Sequence, residues 1–143
     1  MKSIADIQEE IVGEFEVYDD WMDKYNYLIE LSRDLPIIDP KIKLKENLIN
    51  GCQSKVWLNA AFDMGKIHFT ADSDATITKG IVALLIRVLS DRSPEEILQA
   101  ELSFIDRIGL RQNLSPTRAN GLLSMIKQMK LYALAYQAVT TKK

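Results

Sequence analysis

The one cysteine of the chain, Cys52, is the residue best suited to covalent chemistry. It directly follows Asn50-Gly51, a pair that favours tight turns because both residues tolerate positive φ. A cysteine that only fills space is expected inside a helix or strand, whereas a residue beside a turn lies near the surface. The position of Cys52 therefore supports two interpretations, a small structural hydrophobe or a thiol presented for reaction.

The chemistry open to a single thiol is limited by the residues around it. A cysteine hydrolase needs an imidazole near the thiol, and the only histidine is His68. Alternation with Ile67 and Phe69 places His68 on the opposite, solvent-facing side of a strand. A dithiol oxidoreductase, an iron–sulfur scaffold and a structural zinc site all need further ligands or thiols that the chain lacks. A thiol that carries a group covalently and hands it on is compatible with these limits, and so is a structural cysteine.

Composition narrows the class of protein. The 143 residues are 47% hydrophobic with a net charge of −2, which predicts one globular domain over residues 1–143. The absence of a basic excess argues against nucleic-acid binding. The longest strongly apolar run, residues 81–86, is too short to span a membrane, and the N-terminus carries acids where a signal peptide needs apolar residues. We expect a cytoplasmic protein.

The segments that must position Cys52 include two N-terminal helices. Ser3 with Asp6 resembles a capping box, and Asp20 is a candidate cap for a second helix that ends before Pro36. Residues 36–46 are predicted to be a loop. Alternating hydrophobicity then predicts strands over residues 56–62 and 67–71, joined by a turn at 63–66, with a short third strand over 47–49 that is connected through Asn50-Gly51.

The remainder of the sequence is predicted to be helical. Asp72, Ser73 and Asp74 are candidate caps for an apolar helix that is central to the core. Ser93-Pro94 and Ser115-Pro116 each place a cap before a proline, and the last helix is expected over residues 117–139. The prediction is an α+β fold, with a small three-stranded antiparallel sheet packed against several helices.

The stretch Gly51-Cys52-Gln53-Ser54-Lys55-Val56-Trp57 resembles the signature of the SufE family, the sulfur-acceptor partners of cysteine desulfurases. Lys55 departs from the glutamine expected there. Three further segments resemble the family in the same order along the chain: its second helix, its strand-to-helix junction and the entry to its last helix. They are Trp21 with residues 24–31 and Leu35-Pro36, Asp72-Ser73-Asp74-Ala75 with Ile77 and Lys79-Gly80, and residues 114–122.

This resemblance implies a function and a set of site residues. It implies a SufE/IscU-like fold and a protein that accepts persulfide sulfur on Cys52 from a SufS-type cysteine desulfurase. The protein would also stimulate that enzyme and deliver the sulfur to a SufBCD-type Fe–S scaffold. The protein would have no independent turnover, no metal and no cofactor of its own, since the pyridoxal phosphate belongs to the desulfurase. The residues implied in partner binding are Gly51, Gln53, Ser54, Asp74 and Arg118.

Two other classes of function stay open at the level of sequence. One is an Fe–S scaffold of the SufU or IscU kind, against which the single cysteine argues. The other is an interaction adaptor in which Cys52 is structural. Trp57, on the opposite face of its strand from Val56, either packs against another element or anchors a partner.

Overall fold

The computed structural model describes residues 2–35, 47–49 and 55–141, without the side chains of residues 140 and 141. The fold class is α+β, as predicted. The helices of these ranges are α1 (Ile4–Glu16), α2 (Trp21–Ser32), α3 (Thr76–Leu89), α4 (Pro94–Gln99), α5 (Phe104–Arg107), α6 (Leu110–Asn113) and α7 (Pro116–Thr141), and the strands are β1 (Val56–Asp63) and β2 (Lys66–Ser73). None of the described helices is both long enough and apolar enough to cross a membrane.

The sheet is an antiparallel pair of strands. Val56 lies opposite Ser73 at one end, and Asp63 lies opposite Lys66 at the other. Met64 and Gly65 connect the strands with φ of 52° and 79°, the left-handed conformation that a two-residue hairpin turn requires. This hairpin matches the prediction from alternating hydrophobicity.

The predicted third strand is wrong within the described residues. Leu48 makes only an isolated bridge to Trp57, and the Ile49 N–H donates to the Val56 carbonyl at 2.9 Å. The partners of this hydrogen bond are separated by residues 50–55, and the predicted Asn50-Gly51 turn lies outside the described residues. The hydrophobic pattern predicted that residues 47–49 pair with β1, but it could not predict which residues lie opposite one another.

The N-cap residues can be compared with those predicted from the sequence. The predicted caps at Ser3, Asp20, Ser93 and Ser115 are confirmed, since each side chain accepts an N–H from the first turn. The prediction that Asp72, Ser73 or Asp74 caps α3 is wrong. The N-cap is Ala75, and no side-chain hydrogen bond caps this helix.

The core is organised around α3, which packs against α2, β2, α1 and α7. Most of its residues are buried: Ile77, Thr78, Gly80, Ile81, Val82, Leu84, Leu85, Val88 and Leu89. The Arg87 guanidinium, near its C-terminal end, binds the Glu14 carboxylate of α1 through two contacts of 2.9 and 2.6 Å. The Tyr27 hydroxyl of α2 donates to the same carboxylate at 2.6 Å. The Arg87 bond lowers the pKa of Glu14, while burial and then the Glu14 bond raise the pKa of Tyr27.

The backbones of α2 and α3 approach closely at Gly80. A Cβ atom at this position would lie well inside van der Waals contact of the Leu28 backbone carbonyl. Only glycine therefore allows the two helices their observed separation.

We expect Gly80→Ala to lower the free energy of unfolding by about 1–3 kcal/mol, because backbone rather than a flexible side chain must move. Denaturant unfolding of the full chain measures this change. Gly13→Ala is the matched control, since a Cβ there meets nothing within 4 Å and alanine favours a helix by up to about 1 kcal/mol. A Gly80→Ala protein as stable as the Gly13→Ala protein would contradict the close approach.

Candidate functional site

Four of the six predicted site residues, Gly51, Cys52, Gln53 and Ser54, lie outside the described residues. Asp74 and Arg118 are described, as are the residues that precede and follow the cysteine segment. The described part of the candidate site consists of the residues on either side of residues 50–54 and the elements that hold them.

The upstream end is fixed by β1. Leu48 pairs with Trp57, and the Ile49 N–H donates to the carbonyl of Val56, the first residue of β1. Val56 is buried, and Ile49 is half-buried. The chain is thus tied to the sheet immediately before residue 50.

The downstream end is fixed by Asp74, just before α3. The Lys55 N–H donates to Oδ1 of Asp74 at 3.0 Å, and the Asp74 N–H donates to the Lys55 carbonyl at 3.2 Å. This reciprocal pair explains why Asp74 does not cap α3, since its carboxylate already accepts a bond from another part of the chain. Asp74 was predicted as a site residue but also as a candidate helix cap, because the pattern Asp72-Ser73-Asp74 is typical of helix caps.

A small apolar cavity lies beside the upstream end, at Ile49 and Val56. It is bordered by the sheet on one side and by α3 and α7 on the other. Its lining is Ile49, Val56, Leu58, Ala71, Val82, Leu85, Ile86, Met125 and Met129. The same two residues that pair across the ends of the segment, Ile49 and Val56, therefore also form part of an apolar surface.

Arg118 belongs to a different part of the candidate site. It lies in the first turn of α7, where its N–H donates to Oγ of Ser115 at 3.3 Å, and it is half-buried. Among the described residues, hydrogen bonds join Asp74 to Lys55, whereas the hydrogen bond of Arg118 is to Ser115. The structure thus connects only one of the two described site residues to the ends of the cysteine segment.

His68 and Trp57 occupy the positions that alternation predicted. His68 is exposed, and its Nδ1 lies 2.8 Å from Oδ1 of Asp91. Along β2, His68 lies five residues before Ser73, which pairs with Val56 at the end of the sheet where β1 begins. Trp57 is half-buried on the opposite face from Val56. Within the described ranges, no three His, Cys, Asp or Glu side chains form a group that could hold a metal ion.

Comparison with known proteins assigns the chain to a family. The family model for SufE, described as an Fe–S metabolism associated domain, matches residues 9–133. SufE-like protein 1 of Arabidopsis thaliana, chloroplastic/mitochondrial, is 42% identical over 127 residues, which is 88% of this chain and 34% of that relative. The chain thus spans about a third of the length of the plant protein.

Bacterial relatives match over most of their own length. A SufE-like protein of Rhizobium meliloti is 38% identical over 85% of this chain and 91% of its own. One from Synechocystis is 36% identical over 89% and 80%. The solution structure of a hypothetical protein from Thermus thermophilus shares the fold, with a TM-score of 0.74, 21% identity and coverage of 94% of this chain and 96% of that one. The chain belongs to the SufE family, as its sequence signature predicted.

Proposed function

We propose that this protein is a sulfur carrier that accepts sulfane sulfur on Cys52 from a SufS-type cysteine desulfurase and delivers it to a SufBCD-type Fe–S scaffold. Membership of a family associated with Fe–S metabolism supports the general role. The observation that supports the specific one is the pair of ties at Ile49–Val56 and Lys55–Asp74, which bracket the only thiol of the chain.

The transfer step is an exchange of one sulfur–sulfur bond for another. The thiolate of Cys52 attacks the outer sulfur of the cysteine persulfide on the desulfurase. The bond from that sulfur to the desulfurase cysteine breaks, the desulfurase leaves as a thiolate, and Cys52–S–SH forms. There is no net oxidation, so the step needs no cofactor on this chain. It does need the thiolate, which is only about a tenth of an unperturbed thiol near pH 7.5.

The ties restrict where the thiol can travel. Cys52 is three residues from Ile49 and three from Lys55, so chain length alone keeps its Cα within about 11 Å of each. Asp74 contributes by holding the downstream end. Gly51, Gln53, Ser54 and Arg118 complete the proposed docking surface for the desulfurase. The cytoplasmic location stays a prediction; one relative is named as chloroplastic/mitochondrial.

Apolar surface at the base of the segment suits a carrier that shelters its sulfur between partners. A persulfide in water is open to attack by cellular thiols and oxidants. Ile49 and Val56 border a cavity lined by hydrophobic side chains, which provides a surface against which sulfur can be covered. Covering disfavours the thiolate, so the partner must bind the open form better and shift the population towards it.

The carrier role predicts a mass change on one residue. Incubation with an active desulfurase, cysteine and pyridoxal phosphate should add about 32 Da, one sulfur atom, to the intact protein. Cys52→Ser should show no shift and no stimulation of the desulfurase. It should nevertheless fold within about 1 kcal/mol of the wild type and compete with it for the desulfurase. An unshifted wild-type mass beside an active cognate enzyme would rule out the carrier role, and a large loss of stability in Cys52→Ser would favour the structural adaptor.

Sheltering predicts slow labelling of the free protein. Cys52 should react with a bulky maleimide at least about tenfold slower in the native chain than in denaturant, a ratio that requires only ~1.4 kcal/mol of protection. A desulfurase lacking its own cysteine should raise the native rate by binding the open form. Equal native and denatured rates would show a permanently displayed thiol and disprove sheltering without disproving the carrier role.

The two hydrogen bonds between Asp74 and Lys55 lead to a further prediction about the rate at which maleimide labels Cys52. Asp74→Ala removes the acceptor for the Lys55 N–H and should raise the native rate several-fold, since a net hydrogen bond contributes about 1 kcal/mol. Asp74→Asn is the matched control because its side-chain oxygen can still accept this bond. If the Ala and Asn variants label at the same rate, the Asp74 side chain does not control access to the thiol.

A further inference from the structure

Three polar residues in succession, Asp72, Ser73 and Asp74, form the junction between β2 and α3. Oδ1 of Asp72 accepts the Ser73 N–H at 2.8 Å, and Oγ of Ser73 accepts the Ala75 N–H at 3.2 Å. Oδ1 of Asp74 accepts the Lys55 N–H at 3.0 Å. Each of the three side chains thus accepts a backbone N–H, but none of these bonds caps α3.

Lys79 adds an ion pair to this junction. It is the fourth residue of α3, and its Nζ lies 3.4 Å from Oδ1 of Asp72. The side chains of Lys79 and Asp72 are 31% and 15% exposed, so water and salt screen their charges less than those of a fully exposed pair. The pair therefore links the end of β2 directly to the first turn of α3, on either side of Asp74 in the sequence.

The stability of α3 itself does not explain a lysine at this position. Among the residues that the structure describes, no side chain caps α3, and its first turn contains no acidic residue. A cation near a helix N-terminus is unfavourable, because the helix dipole is positive there. A residue that opposes the local preference of its own helix indicates that another constraint acts on it. The contact with Asp72 is a constraint of that kind.

Asp72 lies close to the chain on both sides of the unique cysteine. It pairs across the sheet with Trp57, the residue that forms the isolated bridge to Leu48. It also lies two residues before Asp74, which exchanges hydrogen bonds with Lys55. A change in the position of Asp72 therefore affects the backbone that holds each of these contacts.

We infer that Lys79 is a positioning residue for the hydrogen bonds between Lys55 and Asp74, and that it acts through Asp72. The ammonium holds the Asp72 carboxylate, and that carboxylate holds the turn at Ser73. The turn in this position places the Asp74 carboxylate where the Lys55 N–H can reach it. Lys79 touches no reacting atom in this role. Its importance for sulfur transfer rests on the proposed function, whereas its effect on Lys55 does not.

Amide hydrogen exchange of the full chain, followed by NMR, tests this role at the Lys55 N–H. Lys79→Met keeps the apolar part of the side chain but removes its charge. It should speed Lys55 exchange by about three- to fivefold, the factor that a partly exposed ion pair supports. Lys79→Arg should keep the rate near that of the wild type, because a guanidinium can still bind the carboxylate. Asp72→Asn should match Lys79→Met, and the double variant should exchange no faster than either, since each change removes the same contact.

Glu14→Gln is the matched control, because it weakens an ion pair near the other end of α3, with Arg87. It should lower the stability of the fold and leave Lys55 exchange unchanged. Exchange at Lys55 that stays at the wild-type rate in Lys79→Met, or that rises equally in Glu14→Gln and in Lys79→Arg, would overturn the inference. The measurement needs no desulfurase, so failure of the proposed function would appear separately, as an unshifted mass of the wild-type protein after incubation with that enzyme.

Discussion

The packing of α3 is the constraint on which the rest of this structure depends. α3 contacts two helices of the N-terminal half, one strand of the sheet and the C-terminal helix, so it joins all the main parts of the described fold. Its apolar residues face neighbours on several sides, which gives it more burial than an ordinary surface helix has. At Gly80 the backbone of α2 comes so close that no side chain fits between the helices. The position of α3 is thereby fixed by backbone contact as well as by hydrophobic burial.

The same packing connects the core to the candidate site. Asp74 lies immediately before α3 and exchanges two hydrogen bonds with Lys55, while β1 holds Ile49 through Val56. Rigid elements thus fix both ends of the segment that carries Cys52, and the segment itself is short. For the sulfur carrier that we propose, this arrangement has a physical advantage, because restricting the position of a nucleophile reduces the entropy lost when it meets its target.

The two faces of α7 differ in what they contribute to the fold. Met125 and Met129 line the apolar cavity beside Ile49 and Val56, and Leu123, Leu131 and Leu134 lie on the other side of the helix. Methionine side chains adapt readily to irregular spaces, which suits the lining of a small apolar cavity. The outward face makes no such contribution to the core, so its apolar residues need a separate explanation.

Several features of this protein were determined by local sequence alone. The hairpin of β1 and β2 follows from alternation and from Met64-Gly65, four helix caps follow from Ser or Asp at the helix start, and the family follows from the residues around Cys52. The region of α5 and α6 was predicted to be helical, but these two short helices were not predicted as separate elements. Tertiary structure alone decided the role of Asp74, the register of Leu48 with Trp57 and the need for glycine at position 80. Each of these three features depends on a contact with a residue of another segment of the chain: Lys55 for Asp74, Trp57 for Leu48 and Leu28 for Gly80. A local pattern states what a residue can bind, but only the packed fold brings one of its possible partners within reach.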